Sequence, residues 1–236
     1  MGFLSRQGGF VVHCVRTRDS RLIHHDKPKA GPAPNPQTRM DPQAKQTPPE
    51  NLAAVILAGG QGLRMGGRNK GWVEYRGRPL VEHAIARLRP QAPRLAISSN
   101  TDIDRYQALG FPVLTDSHAD YRGPLAGIAA AFAAFPGHAI LCAPVDAPAL
   151  PLDLECRLRQ ALETHPAPAA IAHDGHRLQP LFGLLEPAVA TRLQSDLAHG
   201  SLAVGRWFHE IGAITVDFSD QPEAFANINT PGDLMG

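Results

Sequence analysis

The sequence predicts a three-layer α/β/α fold built around a mostly parallel sheet. From residue 52 onward, short apolar runs of strand length alternate with longer segments that have helical periodicity. Such alternation is typical of parallel strands joined by helices that cover both faces of a sheet. A glycine-rich loop directly follows the first apolar run, and sheets of this kind bind ligands beyond the carboxyl ends of their strands. We therefore expect a ligand site at that loop.

Each element follows from a local pattern. We expect strands at Ala53–Ala58, Arg94–Ser99, Val113–Thr115, Ala139–Ala143, Ala169–Ala172, Leu178–Leu185 and Ala213–Phe218. We expect helices at Leu80–Leu88, Thr101–Leu109, Leu125–Phe135 and Leu152–Thr164, with two more helical stretches before the last strand. Asp174 and Gly175 form a hairpin-type turn sequence, and Thr101 and Asp104 have the spacing of a capping box.

The loop after the first strand reads GGQGLRMGGRNKG from Gly59 to Gly71. It is not a dinucleotide fingerprint, because Met65 stands where the third glycine should be, nor a P-loop, because Arg68 follows the last glycine of that pattern. Lys70 is the sole lysine after residue 50. A lysine is a compact point charge suited to a phosphate oxygen, so the loop predicts a phosphate-binding site of a third kind.

Polar residues also follow the other predicted strands. Ser98, Ser99 and Asn100 end the second strand, Asp116 follows the third, and Asp146 follows the fourth. These groups should meet at one edge of the sheet. Asp146 stands between two prolines, and a rigidly held carboxylate beside a nucleotide is suited to Mg²⁺. The alternative interpretations are a turn or helix-capping residue for Asp146 and a helix cap for Asp116.

Composition excludes several classes of protein. The chain has 236 residues, 43% of them hydrophobic, and a formal net charge of +1, which argues against a nucleic-acid surface. Its longest apolar run, Pro124 to Phe135, is too short for a membrane span. Three cysteines at unrelated spacings form neither a zinc cluster nor a disulfide framework, which fits a reducing cytoplasm. His173 and His176 flank a turn without a third ligand at suitable spacing, so we interpret them as solvated hairpin residues.

The first fifty residues differ from the rest. Seven prolines lie between Pro28 and Pro49 among polar residues, a composition that cannot bury enough apolar surface to fold. We expect residues 1–50 to be a disordered or over-called N-terminal extension and residues 51–236 to form the functional domain. Met40 lies just before this domain and is a candidate for the true start.

Four motifs, in order and spacing, resemble the molybdenum cofactor guanylyltransferase family. They are LAGGQGLRMGGRNKG, TDSHADYRGPLAG, CAPVDAP and FANINTPGDL, and the similarity runs from Leu52 to Leu234. The resemblance implies a Rossmann-like sheet of the nucleotide-diphospho-sugar transferase type. It also implies transfer of GMP from GTP to molybdenum-molybdopterin with release of pyrophosphate and with Mg²⁺ as cofactor. We correspondingly expect a cytoplasmic monomer. It would make transient contact with molybdenum-insertion proteins and recipient molybdoenzymes.

The resemblance also implies roles for individual positions. Nucleotide binding falls on Leu57, Ala58, Gly59, Gly60, Lys70, Ser98, Asn100, Asp116 and Asp146. Arg64 and Lys70 would neutralise charge on the phosphates, and Asp146 with Asn229 would hold the metal. Two positions depart from the family pattern, which usually has aspartate at the place of Asn69 and asparagine at the place of Ser98.

The sequence leaves two alternative functions open. A related enzyme could use CTP, acting on the same pterin or on a sugar phosphate, although such relatives tend to have Leu-Ala-Ala-Gly where this chain has Leu-Ala-Gly-Gly. A non-catalytic GTP-binding protein that delivers the molybdenum cofactor would instead bind nucleotide without releasing pyrophosphate.

Overall fold

The computed structural model of the chain describes residues 11–12, 48–59, 69–116, 123–200 and 203–228. The strands within these ranges are β1 (Val11–Val12), β2 (Leu52–Leu57), β3 (Glu74–Tyr75), β4 (Arg78–Pro79), β5 (Arg94–Ser98), β6 (Val113–Leu114), β7 (Ala139–Pro144), β8 (Ala169–His173), β9 (Leu178–Leu185) and β10 (Ile214–Asp217). The α-helices are α1 (Leu80–Leu88), α2 (Ile103–Gln107), α3 (Pro124–Ala134), α4 (Leu154–Thr164), α5 (Ala190–Ala198) and α6 (Val204–Glu210). Short 3-10 turns lie at Lys70–Trp72, Pro187–Val189 and Pro222–Phe225.

Among the described residues, eight strands form one sheet in the order β1-β10-β8-β9-β7-β2-β5-β6. All neighbouring pairs are parallel except those of β9, which runs antiparallel to both β7 and β8. The strands β7, β2, β5 and β6 are consecutive and parallel, so their carboxyl ends lie at the same edge. The prediction of a mostly parallel sheet is confirmed, and so is the hairpin that joins β8 to β9.

Helices cover both faces of the sheet because β2 is apolar on both faces. Its residues Leu52, Ala54 and Ile56 lie in one core with side chains of α1 and α4. Its alternate residues Ala53, Val55 and Leu57 lie in a second core with side chains of α3, α5 and α6. Successive side chains of a strand point to opposite faces, so a strand buried on both faces shows a continuous apolar run. This arrangement confirms the predicted three-layer α/β/α architecture.

The bounds of most elements match the sequence prediction to within a residue or two, but the predicted capping box at the start of α2 is wrong. That helix begins at Ile103 and is preceded by Asp102, whose φ of +52° places it in the left-handed region. Within the described residues, no side chain makes a capping hydrogen bond there. The hydroxyl of Thr101 instead accepts a hydrogen bond from the side chain of Asn69, 32 residues earlier. A tertiary contact has therefore replaced the local one.

The strand β1 was not predicted. It pairs in parallel with Thr215 and Val216 of β10 at the edge of the sheet opposite to β6. The remaining residues before position 48 lie outside the described ranges, so the predicted division at residue 50 stays a prediction. In the described part of the chain, every helix is too short or too polar to cross a membrane.

Candidate active site

The candidate site lies where β7, β2, β5 and β6 end. Backbone hydrogen bonds continue the ladder past the strands: the N–H of Ala58 donates to Ser98 O at 2.9 Å, and that of Val145 donates to Leu57 O at 3.1 Å. The ends of these four neighbouring strands span about 14 Å, given a spacing of about 4.8 Å between strands. The sheet therefore brings residues from four distant parts of the sequence to one edge.

Lys70 and Asp146 meet at this edge. The Nζ atom of Lys70 donates to Oδ2 of Asp146 at 2.8 Å, across 76 residues of sequence. The two side chains are 29% and 15% exposed, so the pair is accessible yet sheltered on most sides. The predicted lysine and the predicted carboxylate of the site are thus direct partners.

Asp146 is held by its backbone as well as by its side chain. It comes two residues after the end of β7, which pairs with β2 along its whole length. The backbone carbonyl of Asp146 accepts a hydrogen bond from the N–H of Ile228 at 2.8 Å. This contact brings the C-terminal segment around Ile228 to the same edge. The carboxylate is therefore placed by the sheet and by a long-range contact together.

Lys70 is held by the short segment in which it lies. Asn69 precedes the 3-10 turn Lys70–Trp72, and its Oδ1 accepts a hydrogen bond from the N–H of Gly71 at 3.0 Å. The same Oδ1 accepts a hydrogen bond from the hydroxyl of Tyr106, at 2.8 Å. Burial raises the pKa of Tyr106 to about 12, although the hydrogen bond to Asn69 acts against this shift. The phenol consequently stays protonated at neutral pH and remains a donor.

The helix α3 approaches the strand ends closely because Gly127 has no side chain. A Cβ atom at this position would lie 2.5 Å from Oγ of Ser98 and 3.0 Å from Cδ2 of Leu57. The first turns of α3 therefore lie against the ends of β2 and β5. A helix N-terminus carries partial positive charge, which favours anions near it. Ser98 itself is buried, with 5% of its surface exposed.

Asn100 and Asp116 form a reciprocal pair beyond β5 and β6. The Nδ2 of Asn100 donates to Oδ2 of Asp116 at 2.8 Å, and the backbone N–H of Asp116 donates to Oδ1 of Asn100 at 2.9 Å. Asn100 is exposed and Asp116 is half-buried. The pair presents polar atoms just beyond the ends of β5 and β6.

Known proteins share the sequence that builds this site. The model of the MobA-like NTP transferase domain matches residues 54–211. A molybdenum cofactor guanylyltransferase of Shewanella loihica is 42% identical over 180 residues, which cover 76% of this chain and 92% of the relative. The chain belongs to the molybdenum cofactor guanylyltransferase family. A second member, from Shewanella halifaxensis, is also 42% identical, over 75% of this chain and 89% of its own length. This membership confirms the resemblance and the prediction of a nucleotidyltransferase.

Solved structures share the fold. The molybdopterin-guanine dinucleotide biosynthesis protein A of Archaeoglobus fulgidus superimposes with a TM-score of 0.65 at 22% identity, covering 78% of this chain and 95% of that protein. The 4-diphosphocytidyl-2C-methyl-D-erythritol synthase of Anaerococcus prevotii has a TM-score of 0.58 at 13% identity, covering 79% and 93%. These two likenesses concern the fold alone, so the choice of nucleotide must come from the site.

The structure brings together only part of the predicted site of this guanylyltransferase family member. Leu57 and Ala58 are buried at the end of β2, and Gly59 follows them at the surface. Three other predicted residues, Gly60, Arg64 and Asn229, lie outside the described residues. Their roles stay predictions.

His173 makes a local hydrogen bond, and Cys142 lies in the core. In the described part of the chain, no group of three or more His, Cys, Asp or Glu side chains could hold a metal ion. His173 Nδ1 accepts a hydrogen bond from the backbone N–H of Gly175 within the hairpin, which agrees with a local role. Burial raises the pKa of the Cys142 thiol to about 12, so Cys142 is a core residue and not a nucleophile.

Sequence reasoning missed the residues that support Lys70. Tyr106 is fully buried and its ring stacks on that of Trp72 with centroids 4.8 Å apart, while the Arg105 guanidinium lies 3.8 Å above the Trp72 ring. Asn69 was noticed only as a departure from the family pattern. A single sequence shows no periodicity that links position 69 to position 106, so a signal for this contact was absent.

Proposed function

We propose that the protein transfers GMP from GTP to molybdenum-molybdopterin, forming the guanine dinucleotide form of the cofactor and pyrophosphate. Family membership over three quarters of the chain supports this proposal. The single observation that carries it is the contact of Lys70 with Asp146 at the carboxyl edge of the sheet. A cation for phosphate oxygens and a carboxylate for a metal stand side by side there.

The reaction needs no covalent intermediate with the protein. An oxygen of the terminal phosphate of molybdopterin forms a bond to the α-phosphorus of GTP. The bond from that phosphorus to the oxygen bridging to the β-phosphate breaks, and pyrophosphate leaves with the electron pair. Such transfers depend mainly on positioning of the reactants and on stabilisation of charge.

The chain supplies that stabilisation from the loop after β2. Backbone N–H groups of Gly59 and Gly60 and of the glycines that follow would bind the triphosphate oxygens. Arg64 and Lys70 would neutralise the charge that accumulates on the α-phosphate and on the departing pyrophosphate. Because Lys70 reaches Asp146 in this structure, its ammonium group already lies at the site before nucleotide binds.

Asp146, together with Asn229, would hold Mg²⁺. Mg²⁺ in nucleotide-binding enzymes is bound by one or two carboxylates together with substrate phosphates and water, so a single rigid carboxylate fits this ion. The metal, when bound, neutralises phosphate charge and orients the phosphates. Lys70 compensates the charge of the Asp146 carboxylate in this structure.

Guanine should be preferred over cytosine. The sequence Leu-Ala-Gly-Gly at the end of β2 and the membership in a guanylyltransferase family support this preference. Ser98, Asn100 and Asp116 are proposed nucleotide contacts at the ends of β5 and β6, and the reciprocal hydrogen bonds of Asn100 and Asp116 hold their polar atoms in place. A site that pairs with one base leaves polar groups unsatisfied with another, at about 1–3 kcal/mol for each group.

The hairpin from His173 to Leu185 is the proposed pterin side, because it lies in the half of the sheet away from the nucleotide loop. We propose a cytoplasmic location, because the free thiol of Cys142 fits a reducing compartment. We expect a monomer that passes its product to recipient molybdoenzymes after receiving molybdopterin through molybdenum-insertion proteins.

Pyrophosphate release with each of the four nucleotides, with and without molybdenum-loaded molybdopterin, tests the proposal. We expect release with GTP that depends on the pterin, and at most weak release with CTP. Equal or faster release with CTP would assign the protein to a cytidylyl activity. Tight GTP binding without any release would instead indicate a non-catalytic delivery protein.

A further inference from the structure

Asn69 connects the turn Lys70–Trp72 to the residues just before α2 and to α2 itself. Its Oδ1 accepts hydrogen bonds from the Gly71 N–H and from the Tyr106 hydroxyl, at 3.0 and 2.8 Å. Its Nδ2 donates to Oγ1 of Thr101 at 3.1 Å and to Oδ2 of Asp102 at 2.9 Å. An amide side chain offers two donors and an acceptor oxygen with two lone pairs, so all four positions of Asn69 are used.

These contacts fix the residue that comes next in the chain. Lys70 lies between Asn69 and Gly71, and both of these neighbours contact Tyr106. Gly71 approaches so closely that a Cβ atom there would lie 2.1 Å from the Tyr106 hydroxyl oxygen. A backbone held on both sides of Lys70 leaves its side chain fewer directions in which to extend. The contact of Lys70 with Asp146 is one of the directions that remain.

The residues that accept the hydrogen bonds of the Asn69 amide, Thr101 and Asp102, are restrained as well. Asp102 has a φ of +52°, which is uncommon for a residue other than glycine, and its carbonyl accepts a hydrogen bond from the Tyr106 N–H at 3.0 Å. The Oγ of Ser99 donates to the carbonyl of Thr101 at 2.9 Å. Asn69 therefore binds to a loop that has its own internal support, directly after β5.

The amide of Asn69 matches the carboxylate of Asp102. A carboxylate at position 69 could still accept from Tyr106 and Gly71, but it could not donate to Asp102. It would instead place a second negative charge where the amide nitrogen now lies 2.9 Å from Oδ2 of Asp102, and such a pair is repulsive. The distance between the two side chains thus selects an amide at position 69 as long as position 102 is acidic.

We infer that Asn69 is a positioning residue for Lys70 and that its side chain is matched to Asp102. Asn69 does not touch the nucleotide in this account; it acts by holding the backbone from which Lys70 extends. The inference rests on the proposed function, because the consequence for turnover requires Lys70 to act on the phosphates. The match between Asn69 and Asp102 can be measured without any turnover.

The test uses the full chain and two double-mutant cycles. The first cycle combines Asn69→Asp with Asp102→Asn, and the second combines Asn69→Asp with Lys70→Ala. Asn51→Asp is the matched control, because it adds the same charge at an exposed residue at the opposite end of β2. For each variant, kcat and KM for GTP are measured by pyrophosphate release, and the free energy of unfolding is measured in urea.

We expect Asn69→Asp to lower kcat by about 10- to 100-fold, because a small displacement of a positioned group has a large effect on rate. The KM for GTP should rise less than kcat falls. Adding Asp102→Asn reverses the direction of one hydrogen bond and removes the repulsion, so the double variant should return to within about threefold of the wild type. In the Lys70→Ala background, Asn69→Asp should change kcat by less than about twofold, because the group it positions is gone.

Two results would overturn the inference. The first is an equal loss from Asn69→Asp with and without Lys70, which would indicate a general structural role. The second is a double variant of Asn69→Asp and Asp102→Asn whose kcat and free energy of unfolding are no higher than those of Asn69→Asp alone. If Asn69→Asp does not fold, the second cycle uses Tyr106→Phe in place of Asn69→Asp. Tyr106→Phe removes one of the hydrogen bonds to Asn69. If the wild type releases no pyrophosphate, the proposed function fails, while the unfolding cycle and GTP affinity still decide the inference.

Discussion

Replacing Lys70 with alanine should separate catalysis from stability. The lost ion pair with Asp146 joins side chains that are 29% and 15% exposed. Ion pairs open to solvent contribute about 0–1 kcal/mol to stability, and the Lys70 pair should lie near the upper end of that range. A positioned charge that stabilises a transition state contributes more, about 2.7–4 kcal/mol or roughly 10²–10³ in rate. The variant should therefore lose far more activity than stability.

The assay compares kcat/KM for GTP with the free energy of unfolding in urea. Arg206→Ala is the matched control, because it also removes a cation from an ion pair. Arg206 pairs with Glu210 at 2.7 Å on the exposed surface of α6. This helix packs with α3 and α5 on one face of the sheet. We expect Lys70→Ala to lower kcat/KM by about 10²–10³ and the control to leave it unchanged. A loss below tenfold, or a loss of activity explained by unfolding, would refute the assignment of Lys70 to the phosphates.

Gly127→Ala should destabilise the fold by about 1–3 kcal/mol, because the added methyl group overpacks against β5. Gly205→Ala in α6 should instead stabilise the fold by about 0.5–1 kcal/mol. In the described part of the chain, nothing lies within 4 Å of the methyl group added there. Thermal melts of both variants check this contrast, which equal shifts would contradict. Burial acts to raise the pKa of Asp174, but hydrogen bonds from the hairpin lower it on balance below its ordinary value of 3.8. The stability that this carboxylate contributes is thus present above pH 3.8 and lost as the pH falls through its folded-state pKa, so Asp174→Asn should lose less stability than the wild type between pH 7 and pH 3 in urea titrations. Removing residues 1–39 should leave turnover unchanged, because β10, β8 and β9 separate β1 from the strands of the site; a large fall in turnover or melting temperature would show the opposite.

The order of strands and helices could be predicted because it depends on local patterns. Continuous apolar runs such as the one at β2 give strands buried on both faces, and the helix at Leu80–Leu88 was predicted to the residue. Lys70 and Asp146 could be proposed from the sequence because composition isolates the lysine and two prolines flank the aspartate. Their contact, across 76 residues, is a long-range one that no local pattern shows.

The supports of the site could not be predicted, because they depend on contacts between distant residues. Thr101 has the spacing of a cap, but its hydroxyl accepts from Asn69, and Asp102 adopts a left-handed conformation instead of a helical one. The two-residue strand β1 is too short to give a pattern. At Thr101 and Asp102, contacts made in the folded chain outweighed the local preference.

Pyrophosphate release by Asp146→Asn, measured with GTP, molybdenum-loaded molybdopterin and saturating Mg²⁺, decides whether Asp146 holds the metal. The substitution keeps the size of the side chain and removes the anion beside Lys70. If Asp146 holds the metal, GMP transfer is almost completely lost while the melting temperature stays close to that of the wild type. Retention of more than a tenth of the wild-type rate would contradict it, because the metal would then have to be held elsewhere.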